Sequence, residues 1–182
     1  MRLSQNQKDV LLVIGATLLI GAVLIMPNTA ILFKFFKPKN KKEKRKISRS
    51  IQKLFNDDII YLSGERIVLT KRGQEILKQV QVDDVLIPSA NNSEWDGVWH
   101  LVGYDIPEDF KKARDCFRRK LIESGFEKIQ LSLWVYPYNC KEEIAIISQN
   151  LGIAPFVAYL NTDYLPQQDK LIKSFSLTTK HK

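Results

Sequence analysis

Histidine and cysteine are scarce in this chain, two of each in 182 residues, and that scarcity removes whole classes of chemistry. His100 lies inside an apolar run and His181 at the C-terminal end, so a histidine-based triad or a zinc site has no partners in the sequence. Cys116 and Cys140 form no Cys-x-x-Cys pair, and two thiols are too few for a disulfide scaffold. They read as free thiols in a reducing compartment, which makes the expected location cytoplasmic. Gly-x-Gly-x-x-Gly, the Walker loop and the Gly-x-Ser-x-Gly elbow are all missing, which removes the glycine-loop nucleotide binders and the α/β-hydrolases from consideration. No internal repeat is present.

Acid is in short supply over one stretch. The net charge is +8 with a sequence pI near 9.4, which points to polyanionic partners. Residues 34–53 hold ten Lys or Arg against one acid, Glu43, so that stretch carries +9 and the rest of the chain about −1. The protein is close to neutral with one basic segment.

Charge is absent altogether from Val10 to Phe33, 24 positions. A helix of that length would cover about 36 Å, enough to cross a bilayer. The reading preferred here is a buried first helix, Val10–Met26, a break at Pro27-Asn28, and a second helix from Thr29 capped by Asn28 or Thr29. Gly15 and Gly21 then serve as close-packing points. The other reading is a membrane anchor, whose basic flank would keep the following domain cytoplasmic.

Residues 40–56 have the clearest helical pattern. Ile47, Ile51, Leu54 and Phe55 form an apolar stripe, and Lys42, Lys46, Arg49 and Lys53 form a cationic row at spacings of four, three and four. A solvated charged face or a polybasic segment on anionic lipid would look the same; the next segment favours nucleic acid. Asp57 to Thr70 reads as a hairpin, IIYL then Ser63-Gly64-Glu65-Arg66 then IVLT. Thr70-Lys71-Arg72-Gly73 then enters a helix to about Val80. Helix, hairpin, helix is the order of a winged helix, in which the helix before the wing enters the major groove. Arg49, Ser50 and Lys53 are the expected base-edge contacts and Arg66 the wing contact.

After a Pro/Ser/Asn-rich linker, residues 81–94, a second domain begins. VWHLVGYD (98–105) reads as a strand. Pro107 opens a helix, acids 108 and 109 suit its positive end, and Phe110, Ala113, Phe117 and Leu121 give it one apolar face. Gly125 ends it. Strand-type spacing follows from Phe126 to Val135, closed by Pro137. Asn139 is placed to cap a helix whose Cys140, Ile144, Ile147 and Leu151 share a face, Gly152 ends that helix, and PFVAYL (155–160) supplies a last strand. That order is a ferredoxin-like split βαβ. Open sheet edges in so small a fold pair with a second copy, so a homodimer is expected.

The strand end Tyr104-Asp105-Ile106, the Arg-bearing helix, Gly125 and Gln130-x-Ser132-x-Trp134 resemble the small CRISPR-associated protein-two family. That family carries a tyrosine-aspartate pair, arginines, a glycine and glutamine-x-serine-valine-phenylalanine at these places. The flanks Trp95-Asp96-Gly97-x-Trp99 and Trp134-Val135-x-Pro137 are closer to the phenylacetate-pathway repressor (PaaX-like) family. Its middle domain resembles the CRISPR protein and its N-terminus is a winged helix. The resemblance covers about residues 40–160. The repressor family's further C-terminal helical domain and its coenzyme A thioester effector are not carried over to this chain.

The resemblance also implies the one catalytic candidate. In the CRISPR family the aspartate matching Asp105, contributed by both subunits, holds a divalent metal at the dimer interface, where a phosphodiesterase would use it to activate water. One carboxylate per chain is a thin ligand set for Mg²⁺, and Glu108 and Asp109 serve equally well as helix-start acids. A second basic face, Lys111, Lys112, Arg114, Arg118, Arg119 and Lys120, is interleaved with Asp115 and Glu123, so surface pairing is expected to neutralise much of it.

The expected fold class is therefore α+β: a winged-helix domain over residues 1–80, the linker 81–94, a ferredoxin-like βαββαβ dimerisation domain over 95–160, and a polar tail over 161–182, poorly ordered after about Leu177. The expected function is a DNA-binding transcriptional regulator of the PaaX-like type that needs no cofactor, with double-stranded DNA and a second copy as partners. The alternative is a CRISPR-adaptation subunit or Mg²⁺-dependent endonuclease using Asp105, and a third reading is a membrane-tethered interaction protein.

Overall fold

The structure is a computed structural model that describes residues 3–19, 36–64, 66–88 and 95–177, with the backbone alone for residues 17–19 and Arg66. The fold is mixed α+β with two antiparallel sheets, and its contacts divide it into two compact units, residues 1–81 and 82–182.

The first unit runs α1 (Gln5–Leu19), α2 (Lys41–Asn56), β1 (Ile60–Ser63), β2 (Arg66–Leu69) and α3 (Lys71–Asp84) as far as Gln81, the last residues of α3 from Val82 belonging to the second unit. α1 begins five residues before the uncharged stretch because Ser4 and Gln7 close its end: Gln7 Oε1 accepts from Ser4 N at 3.0 Å and Ser4 Oγ at 2.9 Å. Val10, Leu11 and Ile14 are fully buried in one core with Ile51, Leu54, Ile59, Ile60, Ile67 and Leu69. The start of the uncharged stretch is thus the inside of a folded unit. No helix among the described residues is long and apolar enough to cross a membrane. The break at Pro27-Asn28, the helix from Thr29 and Gly21 lie outside the described residues.

The second unit carries one four-stranded antiparallel sheet in the order β4-β5-β3-β6, from β3 (Trp99–Tyr104), β4 (Glu127–Gln130), β5 (Leu133–Tyr136) and β6 (Val157–Thr162). Two helices, α4 (Lys111–Glu123) and α5 (Lys141–Leu151), pack on the face that Val102, Trp134 and Tyr136 present. Phe117, Leu121, Cys140 and Ile147 are fully buried there. Gly125 ends α4 with a left-handed φ of 82°, which lets Gly125 N reach Ile122 O at 3.0 Å and Phe126 N reach Leu121 O at 3.0 Å.

Four sequence expectations need correction. α3 passes Val80 and ends at Asp84, so residues 81–84 are helical rather than linker. Val82 is fully buried, and the Lys120 ammonium donates to the Asp83 carbonyl at 3.0 Å, holding the last turn. Residues 89–94 of the expected linker lie outside the description. Pro107 opens a 3-10 turn, Glu108–Phe110, ahead of α4 rather than α4 itself, and leaves Phe110 39% exposed. Leu131, expected within a strand, sits 82% exposed in the turn between β4 and β5, where no glycine or asparagine marks the turn. The tail contains a further helix, α6 (Gln168–Ser174), and Phe175 and Leu177 pack against the second core. Its Ser174 Oγ donates to Glu127 Oε1 at 2.6 Å, a contact 47 residues away that no local pattern reveals.

Candidate nucleic-acid interface

α2 is fixed at both ends by its own sequence. Asn40 caps it by accepting from Glu43 N at 2.9 Å, while Glu43 Oε2 accepts from Lys39 N at 2.7 Å. At the far end Asp58 takes a left-handed φ of 54°, so that Asp58 N donates to Phe55 O at 3.1 Å and Ile59 N to Leu54 O at 3.0 Å. This is the two-bond helix stop usually made with glycine. Leu54 and Ile59, brought together by it, are both fully buried.

The hairpin is joined to the next helix just as tightly. Ile60 to Ser63 pair with Leu69 to Arg66 in antiparallel register, and Gly64 turns the chain with φ 63°. Thr70 then does three things. Its N–H donates to Ile59 O at 3.1 Å, its hydroxyl donates to Asp58 O at 2.8 Å, and its Oγ1 accepts from Gly73 N at 2.9 Å as the cap of α3. A Cβ on Gly73 would collide with the Ile59 carbonyl oxygen. Thr-x-x-Gly after the hairpin is therefore a packing requirement: the threonine caps, and the glycine admits a carbonyl.

With its back held, α2 exposes Lys41, Lys42, Lys44, Arg45, Lys46, Arg49 and Lys53. Lys41, Lys44, Arg45, Ser48 and Arg49 line a hollow of about 480 Å³. Of the expected contacts, Arg49 is on this hollow. Lys42 and Lys53 are exposed but do not line it. Lys46 lines a different hollow of about 300 Å³ with Asn6, Asp9, Phe36, Glu43 and Ile47. Ser50 requires a correction: it is 7% exposed and belongs to the packed side of α2, so its hydroxyl cannot reach a base edge. The spacing had contained that answer, since 47, 50, 51 and 54 form one helical stripe. The same rule joins Lys41, Arg45 and Ser48 to Arg49; the row of four held Arg49 and passed over the other three. The backbone of Arg66 stands opposite Ser63, directly after the turn; its side chain lies outside the description.

In the second unit Asp105 is exposed at the end of β3. Its N–H donates to Phe156 O at 3.0 Å. The Gln130-x-Ser132-x-Trp134 motif braces the neighbouring residue: Tyr104 N donates to Ser132 O at 3.0 Å, and Trp134 Nε1 donates to the Tyr104 hydroxyl at 3.4 Å. Glu108 is committed elsewhere, to Arg114 at 2.9 Å and Lys111 at 3.4 Å. The Arg114 hydrogen bond and charge hold its carboxyl below the usual range. Among the described residues no group of three or more His, Cys, Asp or Glu could hold a metal ion.

The basic face of α4 is largely matched with acid. Besides the Glu108 pairs, Arg119 lies 3.6 Å from Asp83 and 3.8 Å from Glu123. Lys120 is 8% exposed and bound to the Asp83 carbonyl. His100 is buried with Nδ1 at 2.9 Å from the Tyr159 hydroxyl and 3.1 Å from Asn161 Oδ1. The Tyr159 hydroxyl accepts from Cys140 N at 3.1 Å. Burial pushes the Cys140 thiol up to about 12 and the Tyr159 phenol above its usual range, so both stay protonated and act as structural groups.

No curated protein and no solved structure matches the chain. The family model described as the PaaX protein central Cas2-like domain matches residues 92–172, which span the whole four-stranded sheet with α4 and α5. Over that segment the chain is similar to the central Cas2-like domain of PaaX proteins.

Proposed function

We propose that this protein is a DNA-binding transcriptional regulator of the PaaX type, in which a winged helix reads duplex DNA and a ferredoxin-like domain pairs two copies. The observation that carries the reading is α2: a helix held from behind by a core, capped at both ends, with Lys41, Lys44, Arg45 and Arg49 gathered at one exposed hollow and a hairpin directly after it. A rigid cationic helix beside a short hairpin suits a phosphate-lined groove, with phosphate contacts supplying affinity and position. Base-edge discrimination falls to Arg49 and Lys53, the exposed long side chains among the expected readers. The order of strands in the second unit, β4-β5-β3-β6 with both helices sharing one core, supports the ferredoxin-like reading. A two-fold pair would match a palindromic site.

The test is retardation of labelled duplex DNA by the full chain across a salt series, with and without Mg²⁺. A dimer neutralising about eight phosphates gives a log–log salt slope of about −7. Affinity that stays flat from low to moderate salt would remove the reading. Mg²⁺-dependent fragments lost in Asp105→Ala would replace it with a nuclease.

A further inference from the structure

The two edges of the four-stranded sheet are built differently. β4 has four residues, a register break between Lys128 and Gln130, and charges at Glu127 and Lys128. Bulges and edge charges of this kind discourage a further strand. β6 has six residues, VAYLNT, with no charge, no proline and an unbroken register against β3. Among the described residues nothing pairs with its outer side.

The ladder fixes which groups face outward. Asp105 N donates to Phe156 O, and the register continues from Tyr104 opposite Val157 to Trp99 opposite Thr162. Hydrogen-bonded and non-bonded pairs alternate in an antiparallel ladder. Ala158, Leu160 and Thr162 therefore turn their main-chain groups toward β3, and Val157, Tyr159 and Asn161 turn theirs toward the open edge. The Val157 N–H is already taken by Ala154 O. What faces outward is two donors, from Tyr159 and Asn161, and three acceptors, from Val157, Tyr159 and Asn161.

We propose that two copies of this chain join along β6, antiparallel about a two-fold axis at Tyr159, to make one continuous eight-stranded sheet. This rests on the homodimer in the proposed function and names its seam. With the axis at Tyr159, each Tyr159 N–H donates to the Tyr159 carbonyl of the second copy, and each Asn161 N–H donates to the Val157 carbonyl of the second copy. The position whose donor is already occupied, Val157, is the one asked only to accept. Ala158, which is exposed, then stands opposite Leu160, which is 56% exposed, on the face away from α4 and α5. A small residue meets a large one twice, with no charge facing its own image.

The test mixes two full-length single variants, Ala158→Cys and Leu160→Cys, under mild oxidation; the native thiols are both buried. Directly opposite positions lie about 5 Å apart and diagonal ones about 7–8 Å. The mixture is therefore expected to cross-link on the order of tenfold more than either variant alone, within disulfide reach. Asn161→Pro, which deletes an outward N–H and the Oδ1 contact to His100 but no main-chain bond to β3, is expected to weaken the dimer by at least about tenfold in light scattering. A monomeric chain, or a dimer whose mixed variants cross-link no better than each alone, overturns the seam. DNA retardation run on the same samples separates the two ideas: salt-sensitive binding by a dimer without the cross-link removes β6 and leaves the regulator standing.

Discussion

α2 and α4 carry similar numbers of basic residues, seven and six, yet only one of them presents a cationic face. On α2 the one acid, Glu43, faces the helix start and accepts from Lys39 N. Around α4 the acids Glu108, Asp83 and Glu123 lie within 4 Å of Arg114, Lys111 and Arg119, and Lys120 is turned inward onto the Asp83 carbonyl in the last turn of α3. A count of lysines and arginines says little about an electrostatic surface until the acids are placed. Exposed pairs contribute little to stability, but they do cancel the field that a polyanion would feel.

The comparison can be broken most directly at the hollow. Replacing Lys41, Arg45 and Arg49 together by Ala is expected to lower duplex-DNA affinity on the order of a hundredfold or more at about 0.1 M salt and to flatten the salt slope by about 3 per protomer. If retardation is unchanged, α2 is not the interface. Gly73→Ala tests the lock behind that helix. The added methyl meets the Ile59 carbonyl, and a loss of about 2–3 kcal/mol is expected in thermal or denaturant unfolding of the full chain.

Lys120→Met examines the opposite use of a cation. It leaves the Asp83 carbonyl without its donor and should cost about 1–2 kcal/mol of stability, with DNA affinity unmoved. Cys140→Ala sharpens the second unit's core by pH. The thiol ionises near 9.0 when unfolded and near 12 when folded, so the unfolded state releases the proton first. The contribution of Cys140 to wild-type stability is then fully present below pH 9 and falls as pH rises toward 12. Relative to its own value at pH 8, Cys140→Ala should lose about 1 kcal/mol less by pH 10. The smallest effect is reserved for Arg118→Ala on α4, where DNA affinity should stay within about twofold; a larger loss would make α4 a second contact.

Much of this architecture was legible in the chain. The stripe of Ile47, Ile51, Leu54 and Phe55 marks α2 within a residue at each end, because a 3.6-residue apolar period is local. The hairpin around Gly64 and the helix end at Gly125 are local for the same reason. What escaped was set at long range. α6 has few apolar residues, and its docking on Glu127 and the second core is a tertiary event. The α3 extension depends on Lys120 and a buried Val82. Ser50 was misread because its chemistry suggested a contact while its spacing placed it inside.

By itself the sequence determined where most of the helices and strands lie, that the positive charge sits in residues 34–53, and that the usual catalytic constellations are missing. These follow from short-range periodicity, capping and composition. Only the tertiary structure decided which of the cations share a hollow, which are matched by neighbouring acids, and which sheet edge is uncharged and, among the described residues, open. Each of those depends on groups far apart in the chain being brought within a few ångströms, where electrostatic and hydrogen-bond energies become decisive.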